Sequence, residues 1–199
     1  MSVTQRYTKV AILLHWLIAL AIFGMFALGW YMSELPKDGP KQMAFDLFDL
    51  GMYQWQLAEE ASPRTFYFNL HKSLGVTLLA LILFRLFWRI THRPPAMLTT
   101  YKAWERKLAI SAHHLLYLLM VAMPVSGLIM AVNSKYGIKW FGLDFIAGLD
   151  NAAMRDLFKE THEVIGALLL VLVILHIMGA LKHKFIDKDK TMERMSLKG

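Results

Sequence analysis

The stretch FKETHEVIGALLLVLVILHIMGALKHK, residues 158–184, decides the fold. From 164 to 181 every residue except His176 is apolar or small, and these 18 residues suffice for a membrane-spanning helix. His162 stands at the edge of the run and His176 lies inside it. Fourteen residues separate them, close to four helical turns, so both imidazoles leave nearly the same face, roughly 21 Å apart along the axis. That distance is most of a hydrocarbon layer about 30 Å thick. One helix therefore offers an imidazole near each surface of a bilayer, and the rest of the chain is expected to supply the partners.

The composition agrees with a membrane protein. The 199 residues are 56% hydrophobic, with mean hydropathy +0.40. There is no cysteine, hence no disulfide framework, no thiolate metal site and no covalent haem attachment. A formal net charge of +7 invites a nucleic-acid partner. The bases cluster beside apolar spans, however, as membrane topology requires, so no nucleic acid is expected.

Four spans follow from the apolar runs, at about 10–32, 66–90, 109–132 and 161–181. The first exceeds the apolar core of a signal peptide. Pro94 and Pro95 stop the second, and Pro124 should kink the third. The expected fold is all-α: an integral membrane four-helix bundle, one membrane domain over 1–199. Between the first two spans, 33–65 is a long connection. Its part 42–60 mixes Phe45, Phe48, Tyr53 and Trp55 with charges, which suits either a helix lying on the membrane or an ordinary folded loop.

Lys and Arg fix the expected orientation. The leader, the connection 85–107 and the tail after Leu181 hold 14 of them, and the other two connections hold 8. Residues 34–69 also carry six acids against three bases. Both termini are therefore expected on the cytoplasmic side, with the bilayer as first partner.

The eight histidines sort by their helical neighbours. One turn beyond His15, His71, His162 and His176 stand Ala19, Gly75, Gly166 and Ala180, the last beside Gly179. At the same offset His113 has Tyr117, His114 has Leu118 and His183 has Asp187. A flat macrocycle held through an imidazole needs a bare helix surface there. Small residues also pack membrane helices, which is the plain alternative. Direction of travel places His15 and His176 at the inner level and His71 and His162 at the outer level. Two bis-imidazole haem b sites result, with both axial positions of each iron filled, which favours electron transfer over oxygen binding. Haem carboxylates need cations. Arg85, fourteen residues after His71, can face the inner haem or serve as an interfacial anchor, and Lys72 can serve the outer one.

The motifs Arg6-Tyr7, VAILLHWL at 10–17, NLHKSLG at 69–75, RLFWRITHRPP at 85–95 and ALKHKFID at 180–187 resemble the bacterial cytochrome b561 family, across all four spans. The resemblance implies two b haems on four helix histidines, and exchange of electrons with ubiquinone. Some members are similar to superoxide oxidase, which moves electrons from superoxide to ubiquinone. By that likeness His183 lies near the quinone, where its imidazole can donate a hydrogen bond and pass a proton. A surface histidine in a basic tail is the competing reading.

The function expected is a dihaem cytochrome b relaying electrons between an outer-side redox protein and the quinone pool. A superoxide:ubiquinone oxidoreductase is the alternative, although the acidic outer loop has the wrong sign for attracting an anion. A metal-ion transporter is a third reading, opposed by the lack of acids inside the spans.

Overall fold

The computed structural model describes residues 6–47, 50–96 and 101–196. Phe48 of the first connection and the last residues of the basic tail, 197–199, lie outside them. In chain order the elements are α1 (Lys9–Glu34), β1 (Gln42–Asp46), β2 (Gln54–Ala61), α2 (Pro63–Thr91), α3 (Ala103–Val132), β3 (Ile138–Trp140), β4 (Leu143–Ile146) and α4 (Ala152–Lys182). A π-helical turn, His183–Asp187, and a short 3-10 turn, Glu193–Met195, follow.

All four helices are long and apolar enough to cross a membrane. Their most apolar windows are only 11% to 22% buried by protein. Leu20, Leu168 and Val171 point outward. In water such a surface would be ruinous; in a bilayer lipid covers it, and the helices satisfy their own backbone groups.

Each helix begins at a cap that hydropathy does not register. Thr8 Oγ1 accepts the Ala11 N–H at 3.2 Å. Ser62 Oγ accepts the Thr65 N–H at 3.3 Å, with Pro63 in the first helical position. Glu105 reaches back to the Lys102 N–H at 3.0 Å. Asn151 Oδ1 accepts the Met154 N–H at 3.2 Å. Helices α3 and α4 therefore start at 103 and 152 rather than at about 109 and 161. The added turns are polar and belong outside the hydrocarbon. Helix α3 continues through Pro124.

By internal contacts the chain groups into two compact units. The first comprises Met1–Ala19, Leu79–Ser126 and Lys159–Gly199; the second comprises Leu20–Leu78 and Gly127–Phe158.

The second unit holds both hairpins. In place of a surface helix, the first connection forms the antiparallel pair β1–β2, with Phe45 opposite Trp55. Phe45 stacks on Phe66 of α2 at 4.5 Å between ring centroids, and Leu28 and Tyr67 complete this buried cluster. Gly51, at φ +67°, gives its N–H to Asp46 at 2.6 Å within the connecting turn. The alternation of a strand buries Phe45 and leaves Ala44 and Asp46 on either side of it only partly covered.

The second hairpin, β3–β4, is pinned to α2 by hydrogen bonds. Lys72 Nζ donates to the Gly137 carbonyl at 3.0 Å. Ser73, 1% exposed, accepts the Phe141 N–H at 2.9 Å. Its hydroxyl is within donor reach of the Asn69 and Lys139 carbonyls, at 2.8 and 3.1 Å. Trp140 Nε1 donates to Thr77 at 3.1 Å.

The first unit ties the tail down. Trp16 Nε1 donates to the Met195 carbonyl at 2.9 Å, and Arg6 donates to that of Ser196 at 2.8 Å.

Ser73→Ala leaves the buried Phe141 N–H without its acceptor. It is expected to lower stability by about 1–3 kcal/mol. Thermal unfolding in detergent checks this; an unchanged midpoint would mean that Ser73 does not hold the hairpin.

Candidate functional site

Three imidazoles from three helices meet in the first unit. His15 of α1 and His176 of α4 have ring centroids 6.3 Å apart at 73°. His113 of α3 lies 5.4 Å from His176 at 76°. A metal held in line between two imidazoles sets their centroids about 6.2 Å apart, from two metal–nitrogen bonds of about 2 Å and about 1.1 Å of ring on each side. The His15–His176 spacing matches that value. The His113–His176 spacing is too short for it.

Arg85 of α2 reaches the same place. Its Nη2 lies 3.3 Å from His15 Nδ1, and its Nη1 donates to the Ala11 carbonyl at 3.4 Å. Arg85 and Arg89 both lie over the Tyr117 ring, at 5.9 and 5.3 Å. On α4, a Cβ at Gly179 would meet nothing within 4 Å. The pair His15–His176, the cation Arg85 and the open surface at Gly179 thus fall in one unit.

His162 also belongs to the first unit. Its Nδ1 lies 3.0 Å from the Met123 carbonyl and 3.0 Å from Ser126 Oγ. A carbonyl only accepts, so Nδ1 carries the proton and Nε2 keeps a lone pair for a metal. Gly166, one turn on, is buried.

His71 belongs to the second unit. A Cβ added to Gly29 would stand 3.5 Å from His71 Cε1, so α1 gives His71 room at Gly29. One added to Gly75 would meet the Met25 methyl at 3.7 Å, so a side chain borders the clearance expected there. Lys72, the candidate for an outer carboxylate, spends one donor on Gly137.

His183 is more constrained than a tail histidine. Its Nδ1 lies 2.8 Å from Asp189 Oδ2 and 3.1 Å from Asp187 Oδ2, and Tyr101 stacks on its ring at 4.7 Å.

The sequence pattern missed Gly29, Ser126, the Met123 carbonyl, His113 and the residues around His183. Only Gly29 left a trace: it stands fourteen residues beyond His15, on nearly the same face of α1.

Residues 6–197 match the family described as prokaryotic cytochrome b561. The chain belongs to that family. It is 34% identical over 193 residues to cytochrome b561 homolog 2 of Escherichia coli (strain K12), covering 96% of this chain and 91% of that protein. Over 194 residues it is 27% identical to cytochrome b561 homolog 1 of the same organism, covering 96% and 97%. Over 195 residues it is 25% identical to a protein named probable superoxide oxidase CybB from Yersinia pestis, covering 96% of each. As a family member this is a multi-pass bacterial membrane protein, a helical bundle that binds haem b and transfers electrons. The imidazole spacing, the nearby guanidinium and the open face at Gly179 fit such a haem.

His15→Ala and His176→Ala are each expected to lose one and the same haem. His113→Ala should keep it, because its ring lies closer to His176 than two imidazoles held in line through one metal can stand. Gly179→Leu should lower its occupancy by filling the cleared surface. Haem content and redox titration of these variants check the assignment, which fails if His113→Ala loses the haem and His15→Ala retains it.

Proposed function

We propose that this protein is a dihaem cytochrome b that moves electrons across the membrane between an outer-side redox partner and the quinone pool, with both termini cytoplasmic. The observation that carries the reading is the His15–His176 spacing of 6.3 Å with Arg85 against it. Haem iron, when bound, would supply a one-electron couple, and His15 and His176 would hold it.

The protein's part is to hold and tune. An imidazole that ligates through Nε2 keeps its proton on Nδ1 and cannot accept a hydrogen bond there. Arg85 occupies both His15 Nδ1 and the Ala11 carbonyl, the natural acceptor for that proton one turn back. Were His15 to ligate through Nε2, its Nδ1–H would need an acceptor such as the Ala11 carbonyl, and the guanidinium would be released to another acceptor. A haem carboxylate has the charge and the fork geometry it needs.

The second haem, on His71 and His162, rests on the fourteen-residue spacing in α4, on the Nδ1 proton of His162 fixed by Met123, and on the room given to His71 by Gly29. Lys72 has two donors left for a carboxylate. Orientation rests on the distribution of Lys and Arg. His183 is assigned to the quinone headgroup, as hydrogen-bond donor and proton carrier.

A superoxide:ubiquinone oxidoreductase is the second reading, favoured by the relative named as a probable superoxide oxidase. The six acids of residues 34–69 oppose it electrostatically. Pulsed superoxide distinguishes the two: rapid haem reduction supports the oxidase, and none leaves a protein donor.

Two low-spin b-type components are expected in the redox titration. His71→Ala and His162→Ala should each remove the component that His15→Ala and His176→Ala leave. His183→Leu should keep both haems and slow electron exchange with a short-chain ubiquinone by at least roughly tenfold. Undiminished exchange with both haems present would move the quinone elsewhere.

A further inference from the structure

His183 does not stand free at the end of α4. The π-helical turn His183–Asp187 ends at Lys188, whose backbone is left-handed at φ +52°. That reversal brings Asp189 back over the turn, and the Asp189 N–H closes on the His183 carbonyl at 3.1 Å. Both oxygens of Asp189 are then committed. Oδ2 accepts from His183 Nδ1 at 2.8 Å, and Oδ1 accepts the Thr191 N–H at 2.8 Å. Thr191 Oγ1 shares a hydrogen bond of 2.6 Å with the Tyr101 hydroxyl, and the Tyr101 ring lies nearly parallel to the imidazole, at 21°. Side-chain exposure is 16% for His183 and 10% for Asp189.

The two carboxylates near His183 are not equivalent. Asp187 Oδ2 is 3.1 Å from Nδ1, but Lys182 Nζ sits on the same oxygen at 2.6 Å. Lys182 also holds Glu105, at 2.9 Å. Asp187 is thus neutralised locally, and by spacing alone the group His183, Asp187 and Asp189 would suit a cation that Lys182 already replaces. Asp189 has no such partner among its described contacts. Burial alone would raise its carboxyl, yet hydrogen bonds from Thr191 and His183 hold it below the usual carboxylate range, so it is ionised at neutral pH.

We propose that Asp189 is the positioning residue for His183: it holds the Nδ1 proton, fixes the ring between Tyr101 and the turn, and leaves Nε2 as the atom that exchanges protons with the quinone headgroup. This rests on the assignment of His183 to the quinone and deepens it. Reduction of a quinone to quinol takes two electrons and two protons. The electrons come singly from the haem held by His15 and His176, fed by a one-electron donor on the outer side. Each proton passes from Nε2 to a quinone oxygen and is replaced from cytoplasmic water. With Nδ1 tied to a carboxylate, the imidazole accepts and gives its mobile proton at one nitrogen only.

The test uses full-length protein with its haems, reduced with dithionite and mixed with a short-chain ubiquinone in stopped flow. Asp189→Ala is expected to slow haem reoxidation at saturating quinone by roughly tenfold, with half-saturation unchanged and haem content intact. Asp189→Asn keeps an acceptor for the Nδ1 proton and should lose less; it carries the comparison where the alanine variant loses haem. The double variant His183→Leu/Asp189→Ala should be no slower than His183→Leu alone, since a residue acting only through His183 has nothing left to position. Nitrogen-15 spectra of labelled histidine add a readout independent of turnover: the His183 signal, assigned by its loss in His183→Leu, should be Nδ1-protonated and should change in Asp189→Ala. Wild-type rates in His183→Leu would overturn the quinone assignment and this inference together. A slow His183→Leu beside a wild-type Asp189→Ala, or losses that simply multiply in the double variant, would overturn the role of Asp189 alone.

Discussion

An imidazole placed in hydrocarbon must satisfy its Nδ1 or pay the cost of burying a bare polar group. The ways this chain meets that demand decide what each histidine can do. His113 and His114 give Nδ1–H to carbonyls one turn back, Ala109 at 2.7 Å and Ile110 at 2.8 Å. His162 finds its acceptor on another helix, at Met123. His15 has lost its own such acceptor to Arg85. His183 pairs with the carboxylates of Asp187 and Asp189. Where a neutral carbonyl takes the Nδ1 proton, Nε2 keeps a lone pair; a metal needs that, but His113 and His114 meet the condition as well as His162, so position and not protonation selects among them. Where a carboxylate takes it, the ring is set up to carry a proton.

His176 and His183 are seven residues apart, about two turns, and on an ideal helix would share a face. The helix does not stay ideal. Beyond Lys182 it widens into a π turn and then reverses at Lys188. The loosening gives His183 neighbours that a continued α-helix would have carried away from it. Departures of this kind are common at functional sites, and here the departure delivers Asp189.

The hairpins work differently. They hold no candidate ligand, yet Lys72 and Ser73, directly after His71, are spent on β3–β4. Phe45 and Trp55 of β1–β2 pack against Phe66, five residues before His71. Backbone hydrogen bonds and aromatic stacking therefore fix the stretch of α2 that presents His71. The apolar helix faces, by contrast, are left to lipid and contribute little packing specificity.

The sequence alone determined that there are four long apolar helices and which four histidines have small residues one turn on; it left Arg85 between a haem partner and an interfacial anchor, and its contact with His15 came from the tertiary structure. Helical periodicity and the energetic cost of polar groups in lipid are local rules, readable from spacing. It did not determine the helix starts, because caps lie in polar turns that hydropathy passes over, nor the hairpin at 42–61, whose aromatic residues suit either a helix or strands until Phe66 supplies the surface to pack on. The approach of His113 to His176, the hold of Met123 and Ser126 on His162, and the clasp of Asp189 on His183 were decided by tertiary structure. Each joins residues through a helix packing or a chain reversal, and neither the distance between two helices nor the direction of a loop is encoded in a one-dimensional period.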